Sequence, residues 1–256
     1  MILVLAGTSD ARELALKIKE NGFNVLTTVV TENAGKSLSD VGLDVRVGRL
    51  TDSEMAALIQ ERKAQAVVDA SHPFAEEASK NAVNGAKCAN VPYIRYERET
   101  QNFRHEKITF ASSYEEAADL AATKKGVIML TTGSKTLHIF ANRLREVEGT
   151  RLIARMLPRK DNMEKCEALG IEQRNIVAMQ GPFSKELNRA LFDHYNVTLM
   201  ITKESGKRGA VDEKLEAALE AGIETIMIKR PKINYGTVYS DFQSVIDHLK
   251  SLVNMG

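Results

Sequence analysis

Short apolar runs alternate with amphipathic stretches along most of the chain. The first run, Ile2-Leu3-Val4-Leu5, is continuous rather than alternating. A strand buried on both faces reads this way, as in a parallel sheet. Ala11–Ala15 then has helical composition. Further strands are predicted over Val25–Val30, Val45–Val47, Ala66–Ala70, Val91–Tyr96, Val127–Leu130, Leu152–Ala154, Ile176–Met179, Leu199–Thr202 and Thr225–Ile228. Helices are predicted over Ser53–Lys63, Phe74–Asn90, Ser113–Lys124, Thr136–Arg145, Met163–Leu169, Lys185–His194, Asp212–Ala221 and Phe242–Leu252. Thr51 or Asp52 is the expected N-cap of the helix beginning at Ser53. Between 98 and 107 the chain is polar and aperiodic, which places a boundary between domains 1–97 and 98–256. Alternating strands and helices imply parallel sheets with right-handed crossovers and helices on both faces. The expected fold class is α/β, with two Rossmann-like parallel-sheet domains and a ligand cleft between them.

Composition narrows the function classes. Hydrophobic residues make up 43% of the 256, enough for a core, and charged residues 27%. The formal net charge is +1, from Lys+Arg 35 against Asp+Glu 34, so bulk charge makes no case for a nucleic-acid partner. Anion recognition has to come from local clusters. No apolar stretch reaches membrane length, and the first residues lack a basic region and a cleavage pattern. The expected location is therefore the cytoplasm, with no membrane partner. Cys88 and Cys166 lie far apart and match no metal spacing. They read as reduced structural thiols, and no metal is expected.

In parallel sheets, ligands gather at the carboxyl ends of the strands. The segments in that position are Gly7–Asp10, Ala70–Phe74, Thr131–Lys135, Arg155–Lys160, Gln180–Ser184, Lys203–Gly209 and Lys229–Pro231. Their glycines let a ligand approach the backbone, and their Arg and Lys residues suit phosphate or carboxylate. The first is a strand, a small-residue turn and a helix N-terminus, a combination that aims free N–H groups at one point. A full dinucleotide fingerprint has three glycines, and only Gly7 is present here. Ser9 fits a capping role equally well. The ribose-binding acid expected about 20 residues on is missing at Val29-Val30-Thr31. Its absence favours NADPH over NADH, because a carboxylate would repel a 2′-phosphate. His72 suits a proton or hydrogen-bond donor at the rim, or a residue that only orders its turn. Asp69 is expected to cap or orient local backbone. Arg155, Arg159 and Lys203 follow two strands of one sheet and are expected to converge on one cleft. No Gly-x-Ser-x-Gly elbow, Walker loop or convincing Cys–His pair exists, which weakens hydrolase and kinase readings.

Taken together, these segments resemble the precorrin-6A reductase family of cobalamin biosynthesis. The matching pieces are 5–15, 68–75, 95–98, 130–134, 154–158, 180–184, 202–206 and 229–231, in order along nearly the whole chain. Asp69–Ala75 and Gln180–Ser184 are the most specific. The departures are Ala6 and Ser71, where the family usually has Gly and often has Thr, and Glu99, where it often has Pro. Ala6 leaves less room for a pyrophosphate. The resemblance implies two α/β domains and an NADPH-dependent reduction of a ring double bond in precorrin-6A or its cobalt form. It implies cofactor contacts from Gly7, Thr8, Ser9, Ser71, Thr132, Gly133 and Ser134. The carboxylate-rich tetrapyrrole would pair with Arg155, Arg159, Lys160, Lys203, Lys207, Arg208 and Arg230, with Ser205 beside them. His72 is the first candidate for donating or positioning the proton that the ring gains, with solvent as the alternative. Two other readings stay open: a nucleotide-binding regulatory α/β protein without catalysis, and a methyl transferase of the same pathway. A regulator needs one nucleotide site, whereas a reductase of a polyanionic ring needs a second anion site.

Overall fold

The computed structural model describes residues 1–98, 105–204 and 212–254. The chain divides into two compact units, Met1–Glu99 with Pro231–Gly256, and Thr100–Arg230. The first unit opens with β1 (Ile2–Leu5), α1 (Ser9–Glu20), β2 (Val25–Val29), α2 (Glu32–Ser39), β3 (Asp44–Val47), α3 (Asp52–Glu61), β4 (Ala66–Asp69), α4 (Glu76–Cys88) and β5 (Tyr93–Tyr96). The second holds β6 (Ile108–Ala111), α5 (Tyr114–Lys124), β7 (Gly126–Leu130), α6 (Leu137–Leu144), β8 (Thr150–Met156), α7 (Lys160–Ala168), β9 (Ile176–Ala178), α8 (Lys185–Tyr195), β10 (Leu199–Lys203), α9 (Glu213–Glu220) and β11 (Glu224–Ile228). The chain then returns to the first unit with β12 (Thr237–Tyr239) and α10 (Phe242–Asn254).

Each unit carries one six-stranded sheet, ordered β3-β2-β1-β4-β5-β12 in the first and β9-β8-β7-β10-β11-β6 in the second. Every pairing is parallel. Both sheets follow the 3-2-1-4-5-6 order of dinucleotide-binding folds. The sixth place is filled out of turn in each, by a strand from the far end of the chain in the first unit and by the leading strand β6 in the second.

The continuous apolar runs split by pleat, as a doubly covered sheet requires. Ile2 and Val4 join Leu14, Ile18, Val245 and Leu249 on one face of the first sheet. Leu3 and Leu5 pack with Met55, Leu58, Ile59, Ala82 and Ala86 on the other. In the second unit Met129, Ile153, Val177, Met200 and Met227 form one face with Phe192, Leu215 and Ala218. Helices α3 and α4 approach closely at Gly85, where a Cβ would sit 2.6 Å from Met55 Cγ and 3.1 Å from the Asp52 carbonyl oxygen.

Several expectations are corrected. The second domain does not run from 98 to 256, because 231–256 belongs to the first unit, where β12 pairs with β5. Helix α2 and strands β6 and β12 lie where no element was expected. Helix α2 spans only eight residues and carries Gly35; β12 spans three, and β6 is a short edge strand. Tertiary contact rather than local propensity decides such short elements. Helix α4 starts at Glu76 rather than Phe74, after a turn in which Ala75 N–H donates to the His72 carbonyl at 2.7 Å. Thr51, not Asp52, caps α3, with Glu54 completing a capping box.

The α3–α4 contact yields a stability prediction. Gly85→Ala should destabilise the protein by about 1–3 kcal/mol, as overpacking does in a filled core. A urea titration monitored by circular dichroism checks it, and an unchanged midpoint would show that Met55 moves aside freely.

Candidate functional site

In the first sheet the chain leaves β1 towards β2 on one side, and β4 pairs on the other. The loops after β1 and β4 therefore open at the point where strand order reverses, the usual ligand position in such sheets. Gly7, Thr8, Ser9, Ser71 and His72 all come to this edge. Gly7 has φ +145° and a Cβ built there meets no atom within 4 Å, so the loop borders open space. The helix cap is Thr8, whose hydroxyl accepts from Ala11 N–H at 3.1 Å, and Ser9 is the first helical residue instead. Asp10 in that first turn pairs with Arg98. His72 is exposed, and its Nδ1 accepts from Phe74 N–H at 3.2 Å. That bond assigns the proton of the neutral ring to Nε2.

Beneath this loop lies a buried polar network. The Asp69 and Arg95 side chains are both 0% exposed, and Arg95 Nη1 meets Asp69 Oδ1 at 2.9 Å. The same carboxylate accepts from Ser71 N–H at 2.9 Å and from the Tyr93 hydroxyl at 2.7 Å. Arg95 also donates to Ser71 Oγ at 3.3 Å and reaches Glu97 at 3.1 Å. Tyr235, from the returning segment, lies over the guanidinium with its ring centre 4.9 Å away and stacks on Tyr93. Burial opposes the Arg95 charge, but Asp69 and Glu97 outweigh it and raise its pKa. Burial and then the Asp69 carboxylate drive the Tyr93 phenol far up, so it stays a protonated donor. Asp69 thus orients backbone, as expected. Arg95 was not foreseen as its partner, because an isolated arginine in a predicted strand reads as an exposed position.

In the second sheet the equivalent reversal falls between β7 and β10. The Thr131–Lys135 loop leaves β7 here. Gly133 has φ +82° with no atom within 4 Å of a built Cβ. The Thr132 hydroxyl is buried without a hydrogen-bond partner. Arg155, at the end of β8, is only 8% exposed. Its Nη1 donates to Asn188 Oδ1 at 2.7 Å, and Phe183 lies 4.3 Å from the guanidinium carbon. Burial pushes its pKa down to about 10, opposed by Asp212. Lys203 ends β10 with its ammonium 5.5 Å from the Tyr114 ring centre. Burial and then Lys135 push its pKa down to about 8.

The expected convergence of Arg155, Arg159 and Lys203 is corrected by the register. Leu130 is paired with both Ala154 and Ile201. Arg155 lies one residue beyond that level and Lys203 two, so the pleat sends them to opposite faces. They bracket the β7 loop rather than meet. Arg159 is exposed and bound to Asp161 at 2.8 Å, and Lys160 lies 3.6 Å from Glu164. Arg230 is drawn to buried Glu204, which accepts its backbone N–H at 3.2 Å. Ser205, Lys207 and Arg208 lie outside the described residues. Asn188 was missed because a single polar residue in an amphipathic helix carries no positional signal. Phe183 belonged to a matching segment, but nothing in the sequence pairs it with Arg155.

Two sheets of dinucleotide-fold order, each with an open glycine loop at its reversal point, define a two-domain Rossmann-type α/β protein. The chain belongs to the family described as precorrin-6x reductase CbiJ/CobK, whose model matches residues 1–250. It is 59% identical to a cobalt-precorrin-6A reductase of Priestia megaterium, over 97% of this chain and 98% of that one. It is 38% identical to a cobalt-precorrin-6A reductase of Salmonella typhimurium, over 90% of this chain and 87% of that one. A solved structure described as CobK precorrin-6A reductase aligns with TM-score 0.79 at 22% identity, covering 98% of this chain and 96% of the other, and supports the fold.

Arg95→Met should cost about 3–5 kcal/mol, because it leaves Asp69 as an uncompensated buried charge. Adding Asp69→Asn should recover part of that loss. Chemical denaturation of both variants measures it, and equal stability of the single and double variants would refute the assignment.

Proposed function

We propose that this chain reduces a ring double bond of precorrin-6A or its cobalt form with NADPH. Membership of the family supports the reaction class, and the Priestia and Salmonella relatives carry names that specify the cobalt-loaded substrate. The observation that carries the reading is Arg155. It is a largely buried cation whose hydrogen-bonding partner is a neutral amide, and the acid that acts on it, Asp212, does so only through space, so a ligand carboxylate would supply its contact counter-charge. A corrin precursor bears carboxylates that supply one. No helix among the described residues is long and apolar enough to cross a membrane.

The residues at both reversal points fit a dinucleotide. Open space beside Gly7 and Gly133, the Thr8 and Ser9 helix start, the Ser71 hydroxyl and the unpartnered Thr132 hydroxyl are the donor set and clearance that phosphates need. We assign the nucleotide to Gly7, Thr8, Ser9 and Ser71, with Thr132, Gly133 and Ser134 as the competing cradle. The chain has Val30 and Thr31 after β2, where NADH-binding folds carry an acid, and Arg46 and Arg49 at the end of the adjacent β3. That arrangement favours a 2′-phosphate. When bound, the nicotinamide supplies a hydride to one ring carbon. A proton must reach the neighbouring carbon, and NADPH, a proton and the substrate then give NADP⁺ and the dihydro product. The neutral His72 ring can offer only a hydrogen bond from Nε2; to donate the proton it must first take one up at Nδ1 and release the Phe74 N–H, and solvent is the alternative source. The Asp69–Arg95 pair fixes the loop through Ser71. Arg155 and Lys203 bind ring carboxylates from the two faces of the second sheet.

An anaerobic assay with NADPH and both forms of the substrate tests the reaction. Nucleotide binding without turnover of either form would favour the regulatory reading. Calorimetry should show NADPH bound more tightly than NADH. Gly7→Val should weaken NADPH binding by about 1–3 kcal/mol, as for lost charged hydrogen bonds. If Gly133→Val does so instead, the cradle is in the second unit.

The pH dependence has a defined sign. Lys203 is cationic below about 8. Its attraction for carboxylates is lost as pH rises through that value, so KM for the tetrapyrrole should climb there, and Lys203→Met should abolish the step. Its folded pKa lies below the unfolded one, so the unfolded chain holds more protons between the two values. This group's contribution therefore makes folding more favourable as pH rises across that window. A flat KM profile in the wild type would remove Lys203 from the substrate site.

A further inference from the structure

We propose that Asn188 and Phe183 are positioning residues that preset the Arg155 guanidinium as a receptor for one substrate carboxylate, bound side-on through Nε and Nη2. The inference rests on the reading of Arg155 as substrate-facing and specifies how that contact is built.

The geometry leaves Asn188 one orientation. Its Nδ2 donates to the Ser184 carbonyl at 2.7 Å and the Phe183 carbonyl at 3.2 Å. Its Oδ1 therefore faces Arg155 Nη1, at 2.7 Å. Asn188 is fully buried on α8, so the amide is a fixed acceptor. Phe183, from the loop that ends at the Ser184 cap, supports the guanidinium face at 4.3 Å. One edge and one face are thus occupied. Among the described residues, Nε and Nη2 take no hydrogen bond, so that edge still has donors to offer a ligand. Nε and Nη2 form a planar fork that matches a carboxylate bidentately.

The choice of an amide matters electrostatically. A carboxylate at 188 would neutralise Arg155 at contact distance and would face the two carbonyl oxygens that now accept from Nδ2. An amide orients the cation without cancelling its charge. Asp212, the acid that acts on Arg155 through space, is already paired with Lys214 and caps α9. The fold therefore holds Arg155 oriented, largely buried and without an acid in contact, a state in which a ligand carboxylate gains much.

The test uses the full chain with ¹⁵N-labelled arginine and three probes: uroporphyrin as a carboxylate-rich tetrapyrrole, NADP⁺ as a phosphate source, and acetate. The Arg155 Nε–H resonance should shift with uroporphyrin and acetate and stay still with NADP⁺. Asn188→Ala and Phe183→Leu should each weaken uroporphyrin about tenfold and raise KM for the precorrin similarly, with kcat nearly unchanged. In the Arg155→Met background neither should add a further loss, since both act through the guanidinium. Phe183 is only part-buried, so its variant keeps the test open if Asn188→Ala fails to fold. Additive losses, unchanged affinity in folded variants, or a shift caused by NADP⁺ would overturn the proposal. If the wild type reduces no precorrin, the functional reading falls, and acetate still decides the receptor. An Nε–H shift that both variants lose supports it, and no shift in the wild type overturns it.

Discussion

The buried Asp69–Arg95 ion pair is the interaction on which the first unit is organised. Two charges removed from water are tolerable only where most of their lone pairs and protons find partners, and here Arg95 Nη2 alone of the guanidinium nitrogens is buried without one. Here that demand recruits the end of β4, the end of β5, the backbone of the strand-end loop and a tyrosine from the returning segment. Glu97 gives the arginine a second carboxylate, which offsets its charge from the other side. The loop bearing His72 is consequently held from below by electrostatics, while its upper side stays exposed.

The second unit handles charge in the opposite way. Arg155 and Lys203 are both pressed towards neutrality by burial, with Asp212 opposing that shift at Arg155 and Lys135 adding to it at Lys203. One sheet edge uses its arginine to hold a loop; the other sets Arg155 against a neutral amide. Such a division suits a protein with two dissimilar anionic ligands, and a regulator with a single nucleotide site has no use for the second edge. Arg159, bound to its own Asp161, has less to offer a ligand on the same logic.

The alternation of strands and helices was legible because each core strand is a continuous apolar run and each long helix a clear stripe. Parallel sheets followed from that pattern alone. The edge strands were not legible: β12 has three residues and gains its identity only from pairing with β5. The domain boundary failed for the same reason, since nothing local marks 231–254 as belonging with the first ninety-odd residues. At the candidate site the charged strand-end residues could be named from the sequence, but which face each takes could not. Arg155 and Lys203 both follow central strands, yet a difference of one residue in register sends them to opposite sides. Partners such as Arg95 and Asn188 depend on tertiary contact and leave no periodic trace.

The out-of-turn strands have a consequence for how the protein is made. A ribosome delivers β1 to β5 first, but the neighbour of β5 arrives only after the whole second unit has been synthesised. Until then the nascent first sheet has an open edge at β5, and Arg95 lacks the ring of Tyr235 above it. The second unit, by contrast, has all its strands once β11 has emerged. Its β6 waits unpaired through most of that synthesis, since its only partner is the last strand to appear. Domains of an ordinary tandem protein close in the order they are translated. Here the unit that starts first finishes last, and an early stop in translation would leave an intact second sheet attached to an incomplete first one.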